Sequence, residues 1–204
     1  MDFLRLLAAG RCGALDTFFS SLTYFGSEIA FMAAALLIFW CVDKRQGYYV
    51  FLVGALGTVC NQFLKLAFRI PRPWVLDPDF QIVEAARADA TGYSFPSGHT
   101  QNIVGTTASI FASRKEAWVR IVCVVLMLLV PFSRMYLGVH TPLDVGVAFL
   151  TALALAAALY PAFRTEAAAK KTVPRLLLGA AALCGGYLVY ALSLIHISEP
   201  TRRS

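Results

Sequence analysis

Residues 133–144 read SRMYLGVHTPLD, and they join two apolar runs, residues 117–135 and residues 140–163. Each run approaches or exceeds the roughly 20 mostly apolar residues that a membrane-spanning helix needs. The polar side chains of the joining stretch therefore lie at the end of two neighbouring helices, close to the membrane surface. Membrane proteins keep ionisable groups at such places chiefly for function.

The composition of the whole chain also indicates a membrane protein. Of its 204 residues, 58% are hydrophobic and 15% are charged, and the mean hydropathy is +0.65, too apolar for a soluble domain of this size. The formal net charge of +6 comes from short cationic clusters without a recognition motif, so we expect no nucleic-acid partner. The five cysteines are scattered and lack metal-ligand spacing.

Six apolar segments predict an all-α polytopic membrane protein, a bundle of six transmembrane helices. They are residues 28–42, 48–68, 98–113, 117–135, 140–163 and 176–191. The third segment is short and rich in small residues, which favours a helix packed inside the bundle. Residues 74–95 are polar and predict a loop outside the membrane. Residues 3–19 mix charges with apolar residues, which predicts an interfacial or re-entrant helix, with a frayed end as the alternative.

Residues 1–191 are expected to form a single membrane domain. Residues 192–202 read LSLIHISEPTR and look like the translation of a sequencing adapter. Residues 192–204 are therefore predicted to be a non-native tail, which has no place in the argument about the fold. On this prediction His196 has no function, and the sixth span is cut short.

Basic residues in short loops predict the orientation of the bundle. If six spans alternate, one side carries Lys44, Arg45, Arg114, Lys115, Arg120, Arg164, Lys170, Lys171 and Arg175. The positive-inside rule makes that side cytoplasmic. Both termini and the polar loop then lie on the extracytoplasmic side of the membrane, which we expect to be a bacterial plasma membrane.

Three polar clusters emerge on that outer side. In chain order they hold Lys65 and Arg72 within KLAFRIPRP, Ser97, Gly98 and His99 within PSGH, and Arg134, His140 and Asp144 within SRMYLGVHTPLD. The three cations could hold a phosphate dianion and neutralise its charge during transfer. A helix that begins at the glycine would point backbone N–H groups at the anion.

His140 and Asp144 lie four residues apart near a helix start, so a carboxylate can orient the imidazole and make it a better nucleophile. Each group alone also has a structural explanation, such as snorkelling for Lys65 or an interfacial place for Arg134. These separate explanations do not account for the whole set of residues. His99 and His140 are the only histidines outside the tail, and both lie beside phosphate-binding patterns. A two-metal site would need several converging carboxylates or histidines, so we expect no metal ion and no cofactor.

The patterns K-x6-RP, PSGH and SR-x5-H-x3-D resemble the type 2 phosphatidic acid phosphatase superfamily, which includes bacterial undecaprenyl-diphosphate phosphatases. Every fixed position of the three patterns is present in order, and the resemblance covers roughly residues 18–191. It implies a six-helix membrane bundle and a substrate that is a lipid phosphate or diphosphate, of the undecaprenyl diphosphate or phosphatidic acid class. It leaves the oligomeric state open.

The resemblance also implies a role for each residue. His140 would form a phosphohistidine, Asp144 would orient it, and His99 would protonate the leaving oxygen and then activate water. The phosphate would be cradled by Lys65, Arg72, Ser97, Gly98 and Arg134. A non-catalytic lipid or anion transporter could use the same cations, but it would need no nucleophile.

Overall fold

The structure is a computed structural model that describes residues 1–198, and for residues 191 and 194–198 it describes the backbone alone. Within residues 1–198 the chain forms nine α-helices and no β-strand. They are α1 (Asp2–Ala9), α2 (Gly13–Leu22), α3 (Glu28–Cys41), α4 (Lys44–Phe68), α5 (Pro73–Leu76), α6 (Gly98–Ser113), α7 (Ala117–Tyr136), α8 (Pro142–Phe163) and α9 (Glu166–Ser198). The predicted all-α class is confirmed. Residues 199–204 of the predicted tail lie outside the described residues.

Polar residues just before the long helices set where those helices begin. The side chains of Ser27, Asp43 and Ser97 accept hydrogen bonds from the first turns of α3, α4 and α6. Thr141 and Asp144 form a reciprocal capping box at the start of α8, with proline in the first helical turn. Each cap satisfies backbone N–H groups that a helix leaves unpaired, so local sequence fixes these boundaries.

The centre of the bundle is α6, which packs against α3, α4, α7 and α8. Its buried positions include Ile103 and Val104, and Gly105 gives room for the side chain of Val53 on α4. The expectation that this small-residue helix packs inside the bundle agrees with that position. Because its neighbours hold α6 on several sides, the residues at its N-terminus have a fixed place.

Four helical segments are long and apolar enough to cross a membrane. They are Lys44–Leu76, Ala117–Tyr136, Pro142–Phe163 and Glu166–Tyr190. A fifth is present if Gly13–Gly26 and Glu28–Cys41, bent by 53° where they meet, form one broken span. At 1.5 Å per residue α6 is only about 24 Å long, short of the roughly 30 Å of hydrocarbon. The protein is thus an integral membrane protein with four or five candidate spans, and the predicted count of six is not confirmed.

The N-terminal residues form two helices that pack on the end of α7. Leu4 of α1 and Phe19 of α2 belong to one buried cluster with Tyr136, Leu137 and Val139. The chain then passes through a 3-10 turn, Thr23–Gly26, into α3. The structure therefore places two packed helices where the sequence predicted one interfacial or re-entrant helix, and this segment is not a frayed end.

The contact between α3 and α4 depends on a glycine. A Cβ atom at Gly54 would overlap the ring of Phe31, whereas one at Gly146 on α8 would meet no atom within 4 Å. We expect Gly54→Ala to lower the free energy of unfolding by about 1–3 kcal/mol, the usual range for overpacking a core. The matched variant Gly146→Ala should leave stability unchanged or slightly raised. Thermal unfolding in detergent measures both, and equal midpoints for the two variants would contradict this packing.

Candidate active site

The turn between α7 and α8 holds a buried histidine and a buried carboxylate. His140 Nδ1 lies 3.5 Å from Asp144 Oδ2, and both side chains are 2% exposed. The backbone N–H of Thr141 donates to the same oxygen over 2.8 Å as part of the capping box. Because the carboxylate faces Nδ1, the other ring nitrogen of His140 points away from it. The start of α8 therefore orients the imidazole.

Ser94 is a third member of this group. Its hydroxyl donates to Asp144 Oδ2 over 2.6 Å and lies 3.5 Å from His140 Nδ1. Its backbone N–H donates to Ile70 O, which ties the serine to the loop after α4. The sequence patterns do not single out Ser94, because a serine in a polar loop has no distinguishing periodicity. Its only signal is its place directly before the FPSGH stretch.

Arg72 joins two loops to the histidine. Its guanidinium donates to the backbone carbonyls of Thr91, Gly92 and Val139 over 2.7, 3.1 and 3.1 Å. Its Nη1 also lies 3.0 Å from His140 Nε2. The fork of N–H groups on arginine suits this task because it can bind several oxygens at once. A positive charge is thereby fixed beside the ring nitrogen that faces away from Asp144.

The other two predicted cations are held by neutral oxygens. Lys65 Nζ donates to the backbone carbonyl of Tyr93 over 2.6 Å. Arg134 is fully buried, and its Nη1 donates to Thr23 Oγ1 over 2.8 Å. Arg134 Nε and Nη2 have no hydrogen-bond partner among the residues that the structure describes. Neutral partners thus hold a partly buried cation, Lys65, and a fully buried one, Arg134.

The predicted residues surround one cavity of about 1050 Å³. Five of them line it: Lys65, Arg72, Gly98, His99 and His140. The other three are buried behind its wall: Ser97, Arg134 and Asp144. The structure therefore brings all eight residues to one end of the bundle, five in the lining of the cavity and three buried beside it.

One wall of this cavity is apolar. It is formed by Ile29, Ala30 and Ala33 of α3 together with Leu66 of α4. Charged and apolar surfaces thus meet in a single space, beside helices that cross the membrane. Among the described residues, no group of three or more His, Cys, Asp or Glu side chains is placed to hold a metal ion.

Arg11, between α1 and α2, holds the turn that leads to His140. Its Nε and Nη2 donate to the carbonyl of Tyr136 over 2.9 and 2.8 Å, and its Nη1 donates to Gln81 O over 2.6 Å. Partial burial lowers the pKa of its guanidinium, and the charge of Asp16 opposes that shift. Arg11 also packs against Gly138, whose φ of +83° is readily adopted by glycine. The N-terminal segment therefore supports the histidine from outside the bundle.

Together, the fold and the site of the described residues define a helical integral membrane protein in which two histidines and three cations lie in or beside one partly apolar cavity. The family model described as "PAP2 superfamily" matches residues 46–168, more than half of the chain. The chain belongs to the PAP2 superfamily, and the resemblance found in its sequence patterns is confirmed.

Two known proteins similar to this chain are named undecaprenyl-diphosphatases, and a solved structure has a similar fold. Undecaprenyl-diphosphatase BcrC of Bacillus subtilis (strain 168) is 34% identical over 132 residues, which cover 61% of this chain and 65% of that protein, just under two thirds. An undecaprenyl-diphosphatase of Sulfolobus acidocaldarius is 26% identical over 151 residues, covering 74% of this chain and 71% of the relative. The crystal structure of Aquifex aeolicus LpxE aligns with a TM-score of 0.67 and 26% identity, covering 77% of this chain and 92% of that one.

The role of Arg11 predicts a loss of stability on its removal. Arg11→Ala deletes charged hydrogen bonds to two carbonyls, so we expect a loss of about 2 kcal/mol in the free energy of unfolding. Arg5→Ala, the matched variant, deletes an exposed ion pair with Asp77 and should leave stability unchanged. Thermal unfolding in detergent compares the two. A midpoint for Arg11→Ala equal to that of the wild type would show that this arginine does not hold the turn.

Proposed function

We propose that this protein is a lipid phosphatase, which hydrolyses a lipid phosphate or diphosphate through a phosphohistidine on His140 and without a metal ion. The observation that carries this proposal is the placement of the imidazole. The Asp144 carboxylate faces Nδ1, Nε2 lies beside Arg72, and His140 lines the cavity together with that arginine and Lys65. The phosphatase names of the similar proteins support the same reaction class.

In the first step, the lone pair of His140 Nε2 attacks phosphorus and forms a P–N bond. Asp144 keeps the proton on Nδ1 and stabilises the positive charge that develops on the ring. Ser94 positions the carboxylate through its short hydrogen bond. Arg72, already 3.0 Å from Nε2, meets the phosphoryl oxygens as the bond forms. The bond from phosphorus to the leaving oxygen breaks, and His99 supplies a proton to that oxygen.

In the second step, His99 takes a proton from water, whose oxygen attacks phosphorus. The P–N bond then breaks, inorganic phosphate is released, and His140 returns to its neutral form. In both steps the charge on the equatorial oxygens is stabilised by Lys65, Arg72, Arg134 and the N-terminus of α6, with Ser97 and Gly98 at that terminus. These groups would do the electrostatic work that a metal ion does in other phosphatases.

The substrate class follows from the shape of the cavity. Its volume of about 1050 Å³ exceeds what one phosphate needs, and its apolar wall on α3 suits the first part of a lipid chain. Two similar proteins are named undecaprenyl-diphosphatases. We therefore place an undecaprenyl diphosphate type of substrate slightly ahead of phosphatidic acid.

The same proposal includes the membrane topology. With α6 counted as a short sixth span inside the bundle, the cavity opens on the extracytoplasmic face of a bacterial plasma membrane. The basic clusters near Lys44, Arg114 and Lys170 support this orientation, since short cytoplasmic loops are enriched in such residues. A lipid can then present its head group while its chain stays in the bilayer.

The role of His140 is tested by substitution. His140→Ala should lower phosphate release from detergent-solubilised protein by at least about a thousandfold, because it removes the proposed nucleophile. Arg69→Ala is the matched control: this exposed residue lies in the same loop as Arg72 but outside the motif, and it should have a mild effect. Brief exposure to substrate with labelled phosphate should leave an acid-labile, base-stable adduct on the wild type and none on His140→Ala.

The metal-free mechanism adds two expected results in the same assay. Phosphate release should survive excess chelator, and vanadate should inhibit by taking the five-coordinate geometry of phosphorus with His140 as an apical ligand. Loss of activity in chelator that added magnesium restores would exclude this mechanism. A protein that binds lipid phosphates but releases no phosphate would instead be the transporter alternative.

The topology is tested with an impermeant thiol reagent on whole cells or spheroplasts. In a variant without its native cysteines, a cysteine at Asp79 should react, because the loop after α5 lies outside. A cysteine at Lys170, which is equally exposed but at the other end of the bundle, should react only after the cells are opened. The reverse pattern would reject the proposed orientation.

A further inference from the structure

Asn61 is a buried polar residue that the mechanism above does not use. It lies on α4 one turn before Lys65, on the same helix face, and it lines the same cavity. It is 3% exposed, and neither atom of its carboxamide has a hydrogen-bond partner among the described residues. An unpaired buried amide lowers the stability of the folded state, so its presence needs a reason.

A second asparagine of the cavity provides a contrast. Asn102 on α6 is buried to a similar extent and also lines the cavity. Its Nδ2 donates to the backbone carbonyl of Gly26 over 3.2 Å, and its Oδ1 lies 3.5 Å from Thr58 Oγ1. The amide of Asn102 therefore has a structural use. The amide of Asn61 has its donor and its acceptor free for a ligand.

The place of Asn61 indicates which part of a ligand it would meet. Its Oδ1 lies 3.9 Å from the position that a Cβ atom would take on Gly98, the residue directly before His99. In phosphoryl transfer the leaving oxygen lies roughly in line with the nucleophile, on the opposite side of phosphorus. If His140 attacks and His99 protonates the leaving oxygen, the side of the α6 N-terminus that carries His99 is at the leaving-group end, while the backbone N–H groups of that terminus meet the equatorial oxygens. Asn61 lies at that end.

We propose that Asn61 contacts the substrate and binds its leaving group, an inference that rests on the proposed function. A carboxamide both donates and accepts hydrogen bonds. A protonated leaving group also donates and accepts hydrogen bonds, so it matches the carboxamide. This leaving group is either the hydroxyl of a lipid alcohol or the P–OH of a lipid monophosphate. The three cations already serve the oxygens of the transferred phosphoryl group, and those anionic oxygens would repel Oδ1.

The experiment measures kcat/KM with three substrates. They are farnesyl phosphate, farnesyl diphosphate, and a nitrophenyl phosphate that carries an alkyl chain on its ring. Nitrophenolate departs without a proton, so its departure needs little help from hydrogen bonds. We expect Asn61→Ala to lower kcat/KM about tenfold or more for at least one farnesyl substrate, and less than about threefold for the aryl ester.

Stability provides the second readout. Asn61→Ala removes an unpaired amide, so its unfolding midpoint should equal or exceed that of the wild type. Asn102→Ala, the matched control, loses its bond to Gly26, so its midpoint should fall and its kcat/KM should change by the same factor for all three substrates. Asn61→Asp keeps the size of the side chain but adds negative charge beside the phosphate. It should lose at least as much activity as Asn61→Ala.

The outcomes separate the possible ligands. A larger loss with farnesyl diphosphate assigns Asn61 to the leaving phosphate, and a larger loss with farnesyl phosphate assigns it to the alcohol oxygen. An equal loss with all three substrates, no loss with any, or a lowered midpoint for Asn61→Ala would overturn the inference. Failure of the proposed function is distinct, since the wild type itself would then release no phosphate from any of the three.

Discussion

One oxygen atom of Asp144 links the fold to the site. Oδ2 accepts hydrogen bonds from the Thr141 backbone and the Ser94 hydroxyl, and it lies 3.5 Å from His140 Nδ1. The first contact closes the capping box that begins α8, the second fixes the loop before α6, and the third orients the imidazole. Because this carboxylate is buried, each contact offsets part of the cost of removing its charge from water. The helix start and the histidine orientation therefore form together.

The three cations of the site are also held by hydrogen bonds rather than by ion pairs. In the part of the chain whose side chains the structure describes, none of Lys65, Arg72 and Arg134 forms an ion pair with a carboxylate. Backbone carbonyls and a hydroxyl satisfy some of their donors instead. Neutral partners hold a cation in place without cancelling its charge. The positive electrostatic field of these cations is thus available to an anion. Internal salt bridges would have neutralised that field.

The sequence predicts that these residues come together in space, because they lie at helix ends. The spacing of Lys65 and Arg72 spans the end of α4, and Gly98 opens α6, so the packing of these helices brings the clusters together. Ser94 and Arg11 were not predicted, since they act from irregular segments whose conformation depends on tertiary contacts. The number of spans could not be settled either. Apolar composition cannot distinguish a helix that crosses the bilayer from one as short as α6, which the bundle itself surrounds.

The two ends of the bundle differ in how some of their buried polar groups are paired. Away from the cavity, the hydroxyl of Tyr49 donates to Ala156 O over 2.7 Å, and its ring stacks on Phe163 within a continuous apolar cluster. In or beside the cavity, Asn61 and Arg134 keep buried donors that have no partner among the described residues. Such groups destabilise a folded protein, and they persist only where packing elsewhere compensates for them. Helices packed together at one end can therefore hold a set of unsatisfied donors in position at the other. An anion that enters the cavity meets groups that need little reorganisation to bind it.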